Sequence, residues 1–208
     1  MKRKLKTLLC ACSAAAMLGA GQAGAAVLLS DNFNSEAQGL NQTSFANWAV
    51  TGGSVDVIGT GFFDLYPGNG NYVDLAGSTG TGGTLTSKQS YSIAPGESFD
   101  LKFDLGGSAR GTNDVVTVSL AGTTLATLNT LSSDPLAQHS LSLTNNTSSI
   151  LSGFLSFRNV TGGTQGAILD NVVLSSLSGE VPEPASLALL ALGLGVLLLK
   201  RPSRGRWY

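Results

Sequence analysis

Cysteine is missing from almost the whole chain: Cys10 and Cys12 are the only two in 208 residues. Any product that has lost its first residues therefore has no disulfide, no thiolate zinc site and no cysteine nucleophile. Its stability must come from an ordinary packed core. Histidine is as scarce, with His139 alone. No serine sits in a G-x-S-x-G turn, so His139 has no nucleophile partner pattern and reads as a plain strand or loop residue. One histidine without cysteine also makes a poor zinc site. Positive charge is missing from the middle. Eight of the twelve Lys and Arg lie at the ends: Lys2, Arg3, Lys4, Lys6, Lys200, Arg201, Arg204 and Arg206. Residues 26–180 keep only Lys88, Lys102, Arg110 and Arg158 against twelve acids, a net charge of −8. Such a region does not suit nucleic acid, whose phosphates need Lys and Arg. It suits an exported soluble domain, and its carboxylates have the chemistry to take up divalent cations.

The N-terminus has three parts. Lys2, Arg3, Lys4 and Lys6 form a positive patch, an apolar Leu/Ala-rich stretch covers residues 7–20, and Ala23-Gly24-Ala25 supplies small residues before Ala26. This order is that of a secretory signal peptide over residues 1–25, cut by signal peptidase between Ala25 and Ala26 after export through the Sec machinery. The apolar run is shorter than the ~20 residues a membrane span needs.

At the other end Val181-Pro182-Glu183-Pro184 precedes fifteen uncharged, mostly apolar residues, 185–199. As a helix rising ~1.5 Å per residue this segment is about 22 Å long, short of a ~30 Å hydrocarbon core. Lys200, Arg201, Arg204 and Arg206 follow and favour a cytoplasmic C-terminus with the domain outside. Read from the residues, this is a marginal transmembrane helix or a temporary stop-transfer element. The triplet, short apolar helix and basic cluster, in that order, resemble a PEP-CTERM sorting signal. The resemblance implies recognition by exosortase, cleavage near Val181–Pro184, and a place among proteins of the cell surface, exopolysaccharide and biofilm matrix.

The middle predicts strands. Alternation is clear in Phe99-Asp100-Leu101-Lys102-Phe103-Asp104-Leu105, and it recurs in residues 116–120 and 151–157. One face of each is apolar and the other wet, as in antiparallel sheets. Further strands are expected at 27–30, 54–59, 71–75, 83–87, 98–105, 114–120, 124–128, 138–143, 150–158 and 167–174, separated by Asn69-Gly70, Pro95-Gly96, Ala121-Gly122 and Gly162-Gly163. Residues 40–48 read as a short helical turn or an irregular loop. About ten short strands without helices argue for an all-β, antiparallel two-sheet sandwich. It is expected over residues 26–175, with a linker at 176–180 and the sorting segment at 181–208.

The run from Trp48 to Gly59, then Asn71 to Gly77, Phe99 to Gly106, and Leu169 to Val172 is similar to galactose-binding-like jelly-roll domains of bacterial surface proteins and plant cell-wall proteins. That resemblance implies a jelly roll, polysaccharide as partner, and in some members a structural calcium ion; Asp31 and Asp170 are the candidate ligands here. Aromatic rings stack on sugars, and Phe63, Tyr66 and Tyr72 around the loop with Asp64 and Asn69 are candidates for that role. Trp48 reads as core. Asp100 with Asp104, and Asp56 with Asp74, alternate on single strands and read as solvated faces rather than as paired catalytic carboxylates. The expectation is a non-enzymatic, exported surface or matrix protein. The alternatives are a carboxylate-based carbohydrate-active enzyme and a purely structural domain without ligand.

Overall fold

The computed structural model describes residues 25–177. The expected signal peptide, the sorting motif, the helix at 185–199 and most of the linker lie outside the described residues. Among the described residues no helix is long and apolar enough to cross a membrane.

Thirteen strands follow one another: β1 (Ala26–Asp31), β2 (Gly39–Gln42), β3 (Ser44–Phe45), β4 (Trp48–Thr51), β5 (Val55–Gly59), β6 (Asn71–Asp74), β7 (Thr84–Ile93), β8 (Ser98–Gly106), β9 (Asp114–Leu120), β10 (Thr123–Thr130), β11 (Ala137–Thr144), β12 (Leu151–Asn159) and β13 (Ile168–Leu177). They form two antiparallel sheets. The first, in the order β11-β8-β13-β6-β5-β2, also takes β1 on the free edge of β13 below β6. The second runs β10-β9-β12-β7-β4-β3. The all-β sandwich expected from alternation is what forms.

The alternating residues explain the layering. Phe99, Leu101, Phe103 and Leu105 of β8 face Val116, Val118 and Leu120 of β9 and Leu155 and Phe157 of β12 across one buried core. Trp48 sits at its centre, fully buried, with its ring 6.1 Å from Phe157. Phe103 packs edge-on against Phe157 at 5.1 Å. Burying such rings contributes roughly 1.5–3 kcal/mol each, and this is where a cysteine-free fold finds its stability. A smaller cluster of Ile58, Tyr72 and Ile168 lies on the outer face of the first sheet, roofed by Phe62, Leu65, Tyr66 and Leu136.

The order of the strands gives the sandwich two distinct poles. Ala26 pairs with Ser176, and Leu177 with Ser98, so the domain begins and ends at the same pole. The opposite pole carries the loops 52–54, 75–83, 107–113, 131–136 and 160–167.

Three sequence expectations need correction. Residues 39–51 hold β2, β3 and β4 rather than a helical turn or loop. These strands are two to four residues long, with β2 and β3 at sheet edges, and Asn41 (φ 57°) interrupts β2, so alternation had no length in which to show. β7 runs on to Ile93 through a bulge at Lys88, Gln89 and Ser90, where three consecutive exposed residues break the period of two. β13 continues through Ser176 and Leu177, residues the sequence places in the linker.

Candidate functional site

The sequence-nominated aromatics separate in the structure. Phe63 is 63% exposed, in left-handed backbone (φ 49°), with its ring 4.8 Å from that of Phe62. Tyr66 is half-buried, and its hydroxyl reaches the carbonyls of Gly107 (2.7 Å) and Asp134 (2.8 Å). Tyr72 is fully buried. Its oxygen accepts the N–H groups of Leu65 and Tyr66 and its hydroxyl donates to Asp64 at 3.0 Å. Burial pushes both phenols above their usual pKa, and the Asp134 charge adds to this at Tyr66. Tyr72 therefore corrects the expectation of a sugar platform: its ring is core, because the loop 60–70 folds over the sheet face that strand alternation left open.

The structure does not assemble Asp31 and Asp170 into a calcium site. Asp31 accepts Phe33 N–H (2.9 Å) on one oxygen, and Asn47 Nδ2 (3.0 Å) and Trp48 Nε1 (2.9 Å) on the other. Asp170 accepts the N–H of Asn171 at 2.7 Å, and Asn171 Nδ2 donates to Asp104 at 2.8 Å. Among the described residues no three His, Cys, Asp or Glu side chains converge as a metal shell. A site for calcium needs six to eight oxygens, and Asp31 is already used to hold Trp48 and the 32–34 turn; this donor set does not fit the ion. Burial, with the charges of Asp104 and Asp31 adding, pushes Asp170 up to about 7.

The other carboxylates are also in structural use. Asp56 and Asp74 are buried, not solvated as alternation suggested. Asp56 accepts Asn41 N–H (2.6 Å) and Ser78 Oγ (2.7 Å), pinning the 75–83 loop. Asp74 accepts the N–H groups of Ala76 (3.0 Å) and Gly166 (2.8 Å) and is ion-paired with Arg110. Burial raises Asp74 to about 6 against the opposing pull of Arg110. Asp114 takes Asn159 Nδ2 at 3.0 Å on one oxygen; its other oxygen is buried without a partner, and burial raises its pKa. Three acids and one arginine thus knit the glycine-rich loops of the pole away from the chain ends. His139 stacks on Phe103 at 5.5 Å. None of these groups forms an acid–base pair in an open cleft.

What is open lies beside that network. A groove of about 430 Å³ is walled by Gly52, Gly80, Thr81, Gly82 and Val160, with Thr84 and Arg158 on its floor. Gly53 has to be glycine here, since a Cβ would meet the Thr81 carbonyl at 2.4 Å. The volume is in the range of small-ligand sites. Sequence reasoning did not single out Arg158, because the groove is assembled from three segments far apart in the chain, around residues 51–52, 80–84 and 158–162. A second hollow of about 330 Å³, lined by Asp31, Asn47 and Asn171 among others, is more acidic.

No curated protein matches the chain. Solved structures that resemble it include the K3 cleaved adhesin domain of Lys-gingipain from Porphyromonas gingivalis, at 14% identity and TM-score 0.49, covering 73% of this chain and 99% of that one. A CBM22-1 xylan-binding domain from Paenibacillus barcinonensis aligns at 13% identity and TM-score 0.49, over 75% of this chain and 97% of that one. A family 35 carbohydrate binding module from Clostridium thermocellum aligns at 8% identity and TM-score 0.41, over 66% and 97%. Beyond the sandwich, residues 180–201 match the PEP-CTERM protein-sorting motif, so the chain carries a sorting signal that implies processing by exosortase.

Proposed function

We propose that this is an exported surface or matrix protein whose β-sandwich engages extracellular polysaccharide without catalysing a reaction on it. The observation that carries the reading is the sorting motif, which starts at residue 180, three residues after β13 ends at Leu177. In this reading the Sec machinery exports the chain and signal peptidase cuts before Ala26. The apolar segment 185–199 then holds the chain in the inner membrane, with Lys200, Arg201, Arg204 and Arg206 on the cytoplasmic side. Exosortase releases the domain near Val181–Pro184 toward the cell surface or the exopolysaccharide of a biofilm. The groove beside Arg158 supports polysaccharide as the partner, and the structural use of the buried carboxylates supports a non-enzymatic role over a carboxylate hydrolase.

Intact mass of the protein from membrane and medium fractions of its native host tests the sorting half. A species running from Ala26 to a residue within 181–184 is the expected product. A membrane-bound species retaining residues up to Tyr208 would mean a permanent anchor and would remove the exosortase step.

A further inference from the structure

Charge in this domain is divided between its two sheets. The strands of the first sheet carry Asp31, Asp56, Asp74, Asp100, Asp104 and Asp170 against Lys102. The strands of the second sheet carry one acid, Asp114, which is buried, and two exposed cations, Lys88 and Arg158. The outer face of the second sheet is therefore positive on a domain that is otherwise acidic.

The register shows what surrounds those cations. Thr51 pairs with Thr84, Thr84 with Arg158, Arg158 with Thr117, and Thr117 with Thr127. All five lie on one face, because their neighbours Val50, Leu85, Phe157, Val116 and Val118 point into the core. They form a straight row across five strands, about 19 Å long at ~4.8 Å per strand. Among the described residues none of the five side chains is held by a hydrogen bond or ion pair, whereas the polar groups of the neighbouring pole are nearly all engaged. Lys88 stands on the same face, four residues along β7 from Thr84, roughly 14 Å from Arg158. The row opens at its Thr51 end into the groove of Gly80 and Val160.

Resting on the reading of polysaccharide as partner, we propose that this face is the track for an acidic polysaccharide of the uronate type. Arg158 and Lys88 take carboxylates, and the threonine hydroxyls take the sugar hydroxyls. Arginine offers a planar fork that matches a carboxylate, and a flat, unobstructed hydroxyl row suits an extended chain. Neutral sugars leave both cations unmatched. The track runs beside the pole opposite Ala26 and Leu177, so it stays accessible while the C-terminal segment is still in the membrane.

The test is affinity electrophoresis and calorimetry of the protein purified from its host. The probes are polygalacturonate, alginate, the methyl ester of polygalacturonate, and phosphatidylglycerol vesicles. Expected is binding to at least one free-acid polymer, weakened by salt, with the ester bound at least tenfold more weakly. Arg158→Gln and Lys88→Gln should each cost the acid polymer about tenfold at unchanged Tm, while Thr84→Val with Thr117→Val weakens both polymer forms. Equal binding of acid and ester that ignores Arg158→Gln overturns the acidic specificity and leaves polysaccharide binding standing. Binding of no polymer overturns both, and capture by the vesicles alone replaces polysaccharide by a membrane surface.

Discussion

Ala26 and Ser176 are direct partners across β1 and β13, so the first and last strands of the domain lie side by side. The described domain therefore begins and ends at one pole of the sandwich, opposite the pole that carries the loops 75–83, 107–113 and 160–167. The same ladder pairs Ser30 with Val173. Antiparallel partners sit about 4.5–5.5 Å apart at Cα, within disulfide reach. Ser30→Cys with Val173→Cys should therefore cross-link in a product that has no other cysteine. The closed loop runs from residue 30 to residue 173, so oxidation should add up to about 5 kcal/mol to unfolding in urea, reversed by reductant.

Asp170 makes stability depend on pH. Its carboxyl is held up to about 7 by burial and by Asp104 and Asp31, against about 3.9 in an unfolded chain. The folded state thus binds the proton more tightly. Its contribution is fully present below about pH 4 and is lost as pH rises toward 7. Asp170→Asn mimics the protonated acid. Its Tm should equal the wild type near pH 4 and exceed it increasingly up to pH 8. A constant difference across that range would mean that Asp170 titrates normally.

The fold was legible wherever a strand was long enough to alternate. Phe99 to Leu105 announced β8, and Val116 to Leu120 announced β9, because a period of two survives in any half-buried strand. The site was not legible in the same way. Arg158 and Thr117 are 41 positions apart and become neighbours only through the strand order β9-β12-β7. The division of charge between sheets is likewise a property of pairing, invisible in a net charge. Tyr72 misled for the opposite reason: it sits on an outward strand position, and only the loop 60–70 makes that position core.

Tyr72→Phe separates core from ligand surface. It removes the acceptor for Leu65 and Tyr66 N–H and the donor to Asp64. Leaving those groups unpaired should cost about 2 kcal/mol in urea unfolding. Polysaccharide affinity should not change, since the ring is out of reach of any ligand. A selective loss of binding at unchanged stability would restore Tyr72 to the ligand surface.

Asp31 should prove structural rather than metal-binding. Asp31→Ala strips the partner from Trp48 Nε1, Phe33 N–H and Asn47. With buried donors orphaned around the central tryptophan, about 2–3 kcal/mol of stability should go. Calcium chloride and EDTA should leave the wild-type Tm where it is. A calcium-dependent rise in Tm that Asp31→Ala abolishes would show instead that the carboxylate exchanges its N–H partners for the ion.

Arg110 and Asp74 lock the pole that carries the groove. Asp74 is fully buried and Arg110 is partly exposed, so removing the arginine strands a charge where water cannot reach it. Arg110→Met should cost about 3 kcal/mol at pH 8. Asp74 already lies near 6 with Arg110 lowering it, so without that pull its pKa rises further and the carboxyl takes up a proton as pH falls. The cost of the substitution should consequently shrink between pH 8 and pH 5. Adding Asp74→Asn should recover much of the loss at pH 8, because Asn Oδ1 still accepts the Ala76 and Gly166 N–H groups while the charge is gone. If the double variant is instead as unstable as Arg110→Met at pH 8, the buried charge is not the cause. The arginine would then act through packing its chain against the 107–113 loop.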